Sequence, residues 1–243
     1  MFVAGATGVI GRALVPLLLR AGHVVTGTTR SPERAAGLAR LGARPVVVDV
    51  YDLAALCQAV EAARPAVVVH QLTDLPDSDA PAALEAGRAA NARLRIEGTH
   101  NLVVAALAAG ARRIVAQSVA FLYASGPGPH GEDAPLEPPL GASARGVHAL
   151  ESAVLGTDGL EGVVLRYGRL YGPGTWTAVS SHPPALHVDA AAQAALLAVT
   201  KGAPGIYNIA EDDGAVSIEK ARRALGFDPA FRAPTWRAAA QLA

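Results

Sequence analysis

Residues 5–11 read GATGVIG, directly after a short apolar run, Phe2–Ala4, and at the start of an apolar helical pattern, Ile10–Ala21. Glycines at 5, 8 and 11 between a strand and a helix suit one local structure. Gly5 permits a tight turn, Gly8 lets backbone approach a pyrophosphate, and Gly11 allows close helix–sheet packing. The helix N-terminus behind the turn offers unpaired N–H groups and a positive dipole end to phosphates. Candidate cofactor contacts along the turn are therefore Gly5, Thr7, Gly8, Val9, Ile10 and Gly11. The alternative is a structural glycine turn that holds no ligand.

The rhythm set by this turn continues. Strands are predicted at Phe2–Ala4, His23–Thr28, Pro45–Asp49, Ala66–His70, Arg113–Gln117, Gly162–Arg166 and Ile206–Ile209. Helices are predicted at Ile10–Ala21, Pro32–Leu41, Asp52–Ala63, Ala82–Ala109 and Ala142–Leu155, with another after Asp189 and two further helical segments after the last strand. Ser31-Pro32 is an N-cap followed by proline at the first helical position, and Gly22, Gly42 and Gly110 follow apolar helical stretches as C-terminal cap glycines do. Pro16 removes a hydrogen bond from the first helix, and a kink is expected there. Runs such as VVVD and VVVH suit a parallel sheet covered on both faces. The fold class is α/β, a Rossmann-type doubly wound parallel sheet. One domain, 1–243, is expected: 1–170 forms mainly the cofactor-binding core, and 171–187 with 211–243 a small substrate-side appendage. The Pro/Gly-rich loops Ala124–Leu140 and Gly172–Ala185 follow strands, where such sheets bind ligands.

Basic and acidic residues number 21 each, so the formal net charge is zero. That argues against a nucleic-acid or anionic-membrane partner, because nothing supplies a general attraction to phosphate backbones. The single cysteine, Cys57, reads as a core residue and excludes a cysteine-rich zinc site; no metal is expected. No apolar run reaches the roughly 18 residues of a membrane span. The start MFVAGATGVIG lacks the basic n-region of a secretory signal, so a cytoplasmic protein with a small-molecule substrate is expected.

An NAD-selective site wants a carboxylate at the end of the second strand. Thr28-Thr29-Arg30 stands there instead, and Arg30, reinforced by Arg12 and Arg34, can pair with a 2′-phosphate; the expected cofactor is NADP(H). The alternative is a solvated loop arginine. Asp49, followed by Val50, ends the third strand, either accepting from the adenine amino group or capping the helix that starts near Asp52. His70-Gln71-Leu72 ends the fourth strand beside the expected nicotinamide ribose, with His70 read as structural and Gln71 and Leu72 as contacts.

Together these segments resemble the short-chain dehydrogenase/reductase superfamily, in its extended and atypical, epimerase/dehydratase-like branches. GATGVIG is similar to the family's TGxxGxxG, VVVHQL to its VxHxAA, EGTHNLVVAALAAGARRIVAQS to its GTxNxxxAAxxxGVxRxVxxSS, and LRYGRLYGPG, with Tyr167, to its LRPxxVYGPG. The resemblance implies hydride transfer paired with a Tyr acid, a Lys four residues later and a strand-end Ser. Anchoring on Glu151 puts Ser143 at the Tyr position and Val147 at the Lys position; anchoring on Tyr123 puts Val119 at the Ser position, with Ser118 one residue earlier. The helix Asn position holds Arg95, with Asn91 one turn before it, and Arg95 and Tyr167 join the expected cofactor contacts.

A serine alcohol with no cationic neighbour is a poor acid. The reading is an NADPH-dependent reductase of a ketone on a bulky or aromatic, polyketide-like molecule, akin to angucyclinone-type ketoreductases. Water, Ser118 through a relay, or the substrate supplies the proton, with Arg145, His148 and Tyr167 as local alternatives. The short loop Gly172–Ala185 suggests an open cleft. The competing readings are a non-catalytic NADP(H)-binding regulator and a nucleotide-sugar epimerase or dehydratase. Monomer and homodimer remain open.

Overall fold

The computed structural model describes residues 1–76, 78, 80–180 and 182–234. Nine strands and eight helices are laid out in it: β1 (Phe2–Ala4), α1 (Val9–Arg20), β2 (Thr26–Thr29), α2 (Pro32–Arg40), β3 (Arg44–Val47), α3 (Leu53–Ala63) and β4 (Val67–His70). Then come α4 (Pro81–Arg93), a π-helical turn (Leu94–Gly98), α5 (Thr99–Ala108), β5 (Arg113–Val119), α6 (Ala142–Leu155), β6 (Glu161–Tyr167) and β7 (Arg169–Tyr171). The chain continues through β8 (Ala185–His187), α7 (Val188–Ala198), β9 (Gly205–Ile209) and α8 (Glu219–Leu225). Seven strands form one parallel sheet in the order β3-β2-β1-β4-β5-β6-β9, and β7 pairs with β8 separately. The reversal between β1 and β4 opens the crevice where doubly wound sheets hold ligands.

Why consecutive valines build this sheet is visible in its two cores. Side chains alternate faces along a strand. Val3, Val69, Val115 and Val163 join the core under α1 and α7, while Phe2, Val68, Ile114 and Val164 join the one under α3, α5 and α6. Only the edge strand β3 escapes this cover, leaving Val47 about half exposed. Cys57 is partly buried against the second core.

Local signals act as their chemistry requires. Ser31 Oγ accepts from Arg34 N at 3.2 Å, and Gly22, Gly42 and Gly110 take positive φ after their helices. Arg113 donates to the carbonyls of Ala198, Lys201 and Gly202 at 2.8–3.0 Å, a cation closing the C-terminal end of α7.

Two expectations need correction. The helix expected at Ala82–Ala109 is α4 and α5 joined through the π turn. β7 and β8, at either end of the loop Gly172–Ala185, were missed, because strands of three residues show no periodicity. Of the two late helical segments expected, α8 is one, and residues 235–243 lie outside the described residues. Among the described residues no helix is long and apolar enough to cross a membrane.

Candidate functional site

Backbone contact holds the glycine turn against the end of β4. Gly5 sits at φ +84°, and a Cβ there would lie 2.7 Å from the Gln71 carbonyl oxygen. At Gly11 a Cβ would meet the Gly5 oxygen at 2.2 Å, whereas at Gly8 the gap is 3.3 Å. Thr28 Oγ1 accepts from Gly5 N at 3.3 Å, and Thr7 and Thr29 hydroxyls pair at 3.2 Å, so β2 braces the turn. No side chain caps α1, which leaves its first N–H groups facing outward; Ile10 and Gly11 are buried behind them and Val9 is half-buried.

A crevice of about 330 Å³ runs along this turn, walled by Thr29, Arg30, Val50, Tyr51, Gln71 and Leu72. One amide atom of Gln71, Oε1, is buried without a partner, while Nε2 donates to Tyr167 Oη at 3.4 Å. Turning the amide over exchanges the two atoms and still leaves one unsatisfied. An orphaned amide, uncapped helix N–H groups and glycines that admit no side chain together fit a dinucleotide.

Arg30 lies exposed at the rim, 3.4 Å from Asp74, and Arg34 lines the same wall. Asp49 Oδ1 accepts from Tyr51 N at 3.0 Å, and Asp52, not Asp49, caps α3 by accepting from Ala55 N. His70 is fully buried: Leu72 N donates to Nδ1, so the ring proton sits on Nε2, 3.0 Å from Thr99 Oγ1. Burial, with help from the Arg95 charge, lowers its pKa to about 4 and keeps it neutral.

Above β5, Ser118 is 2% exposed and donates its hydroxyl to Glu151 Oε1 at 2.6 Å. Glu151 is clasped by Arg166, whose Nη1 donates to Tyr123 Oη at 2.8 Å; that hydroxyl donates to Asn208 Oδ1 at 2.7 Å. Sequence reasoning used Glu151 and Tyr123 as register marks and missed that Arg166 joins them. Val147 is fully buried, Ser143 half-buried and Val119 half-buried. Burial pushes the Tyr167 phenol up, away from an acid's range. Arg145 and His148 point to the loop after β5, onto the carbonyls of Leu140 and Glu137. Arg95, on the π turn, is 8% exposed and does not line the nucleotide crevice, although Leu94 beside it does.

Trp176 Nε1 donates to the Pro76 carbonyl at 3.2 Å, and Gly174 lies close over Arg12. A larger cavity, about 620 Å³, is lined by Glu132, Asp133, His148, Ser152 and Leu155 and shares no residue with the glycine turn. Among the described residues no group of three His, Cys, Asp or Glu could hold a metal.

Comparison with known proteins places these features among relatives. The family described as NAD(P)H-binding matches residues 5–195. A Streptomyces protein, 3-diazoavenalumate denitrifying reductase, is 44% identical over 246 residues, spanning 90% of this chain and 78% of that protein. The solved structure of a DesIV double mutant (dTDP-glucose 4,6-dehydratase) from Streptomyces venezuelae, with NAD and DAU bound, superposes with TM-score 0.77 at 20% identity, covering 95% of this chain and 92% of that one. The enzyme WbmG of Bordetella bronchiseptica, in complex with NAD, gives TM-score 0.74 at 18% identity over 96% of this chain and 89% of its own. Both structures share the fold.

Proposed function

Because the chain belongs to the NAD(P)H-binding family, in the atypical short-chain dehydrogenase/reductase branch, we propose that it is an NADP(H)-dependent reductase whose substrate takes a hydride and no proton from the protein. An NAD(P)-dependent reductase is what family and relatives support; the phosphate preference and the substrate are our reading. One observation carries it. Beside an intact nucleotide crevice, α6 offers half-buried Ser143 and fully buried Val147 where an acid and its cationic neighbour would stand.

A ketone reduced by hydride becomes an alkoxide that must be protonated. A diazonium carbon has no such need. When bound, the reduced dinucleotide supplies the hydride, and R–N₂⁺ + H⁻ → R–H + N₂ balances without acid or base. The C–N bond breaks, a C–H bond forms, and dinitrogen leaves with the bonding pair. The similar Streptomyces protein is a denitrifying reductase of a diazo compound. We therefore favour reductive removal of dinitrogen from an aromatic diazo compound over reduction of an aromatic ketone.

In this reading Gly5, Thr7, Gly8 and the first turn of α1 from Val9 to Gly11 hold the pyrophosphate, and Arg30 with Arg34 takes a 2′-phosphate. Asp49 and Val50 flank the adenine end. Gln71, Leu72 and Tyr167 bound the nicotinamide end, where the unpaired Gln71 amide atom awaits a partner. Positioning alone can supply much of the rate of a two-body step.

The test is incubation with 4-deuterated NADPH, diazotised aminobenzoates and aminocinnamates, and aromatic ketones, read by mass spectrometry. Deuterium replacing dinitrogen on the ring carbon is the expected product. Ketones gaining two hydrogens while diazo acids persist would restore the ketone reading. NADPH binding with no oxidation by either class would make the protein a regulator.

A further inference from the structure

The geometry points to Arg95 as an oxyanion-binding residue that holds an acid group of the substrate at the inner end of the cleft. It is carried into place by the π turn, whose extra residue shifts the helix register after Arg93. On the neighbouring helix, a Cβ at Gly146 would lie 3.0 Å from Ala92 Cα, so α6 packs onto the turn preceding Arg95.

The side chain is then largely buried. Arg95 is 8% exposed, and among the described residues no carbonyl or carboxylate accepts from it; the only charge that favours its cationic form is Glu151, at a distance. Burial lowers its pKa to about 10, which leaves it charged at neutral pH. Glu151 has nothing to spare. Arg166 takes both its oxygens, at 2.9 and 2.7 Å, and Ser118 donates to one of them. His70, the other group that feels Arg95, is neutral. Arg166 thus takes the carboxylate of Glu151, and among the described residues Arg95 has no carboxylate of its own to bond.

Leaving a buried charge unpaired is costly unless a ligand pairs it. A ribose hydroxyl can accept a hydrogen bond but brings no charge. A carboxylate or ring oxyanion brings both, in the planar geometry that a guanidinium fork matches. The loss of a cation at Val147 and its gain at Arg95 also fit together: the charge has moved from α6 to the π turn, where no phenol needs it. This inference rests on the proposed reductase only in calling the bound acid a substrate.

Calorimetric titration of the NADP⁺-loaded protein with cinnamate and with methyl cinnamate tests it without turnover. The wild type should bind the acid at least about tenfold more tightly than the ester, the effect of one charge-assisted hydrogen bond. Arg95→Met should erase that difference, Arg95→Lys should keep part of it, and NADPH affinity should stay within about twofold, since the guanidinium lies off the nucleotide crevice. Thermal melting of Arg95→Met should not fall, because a desolvated charge has been removed; a merely structural arginine would lower it. Equal binding of acid and ester by the wild type would overturn the assignment. So would an Arg95→Met protein that loses NADPH while keeping its acid-to-ester ratio. Because the readout is binding, an enzyme that turns over no diazo compound would leave the Arg95 result standing.

Discussion

Arg166 clasps Glu151 with two parallel hydrogen bonds, Nε to Oε1 at 2.9 Å and Nη2 to Oε2 at 2.7 Å, and their side chains are 4% and 8% exposed. The pair joins α6 to β6 across the end of β5, and Ser118 and Tyr123 close the polar ring around it.

Breaking this pair from one side strands a buried charge. Glu151→Leu and Arg166→Met should each lower unfolding stability by about 3–5 kcal/mol, while the double variant should recover part of that loss. Urea denaturation of the three proteins checks this; additive losses would show that the two residues act separately.

His70 makes the fold acid-sensitive over a defined window. Its folded pKa, about 4, lies below the ordinary value of 6.5, so the unfolded chain takes up the proton first as pH falls. Its contribution is fully present above pH 6.5 and is lost between 6.5 and 4, amounting to about 3 kcal/mol at 1.36 kcal/mol per unit. Stability against pH should be correspondingly flatter for His70→Asn across that interval than for the wild type.

The glycine turn should discriminate sharply among its members. A Cβ at Gly11 would approach the Gly5 oxygen to 2.2 Å, and one at Gly8 only to 3.3 Å. Gly11→Ala should therefore lose both stability and NADPH binding, because only backbone movement relieves the clash. Gly8→Ala should fold normally and weaken NADPH where phosphate needs the space. Fluorescence titration with melting curves separates the two effects.

Arg30 offers a handle on cofactor choice. Its pairing with Asp74 at 3.4 Å is exposed and so contributes little by itself. Arg30→Ala should reduce the preference for NADPH over NADH by about tenfold, as expected for one charge-assisted contact. Asp74→Asn, which releases the guanidinium, should raise that preference, and added salt should shrink both effects. An unchanged ratio in Arg30→Ala would remove the 2′-phosphate from the reading.

Much of this protein was legible because its signals are local. GATGVIG specifies its turn through steric exclusion, Ser31-Pro32 starts α2, and the valine runs say that both faces of the sheet are covered. The π turn and the β7–β8 pair were not legible, since neither leaves a periodic pattern longer than a few residues.

What only the tertiary structure decided was where charge comes to rest. Glu151 and Arg166 lie 15 residues apart and Arg95 more than 50 from either, so no spacing rule connects them. The Glu151–Arg166 pair depends on the register of β5 with β6, where Ser118 stands beside Arg166, and the place of Arg95 on how α6 packs at Gly146 onto Ala92. Patterning by burial and period tells a residue which face it takes. It does not say which distant partner will neutralise it, because that energy depends on a dielectric boundary formed only when the chain has folded.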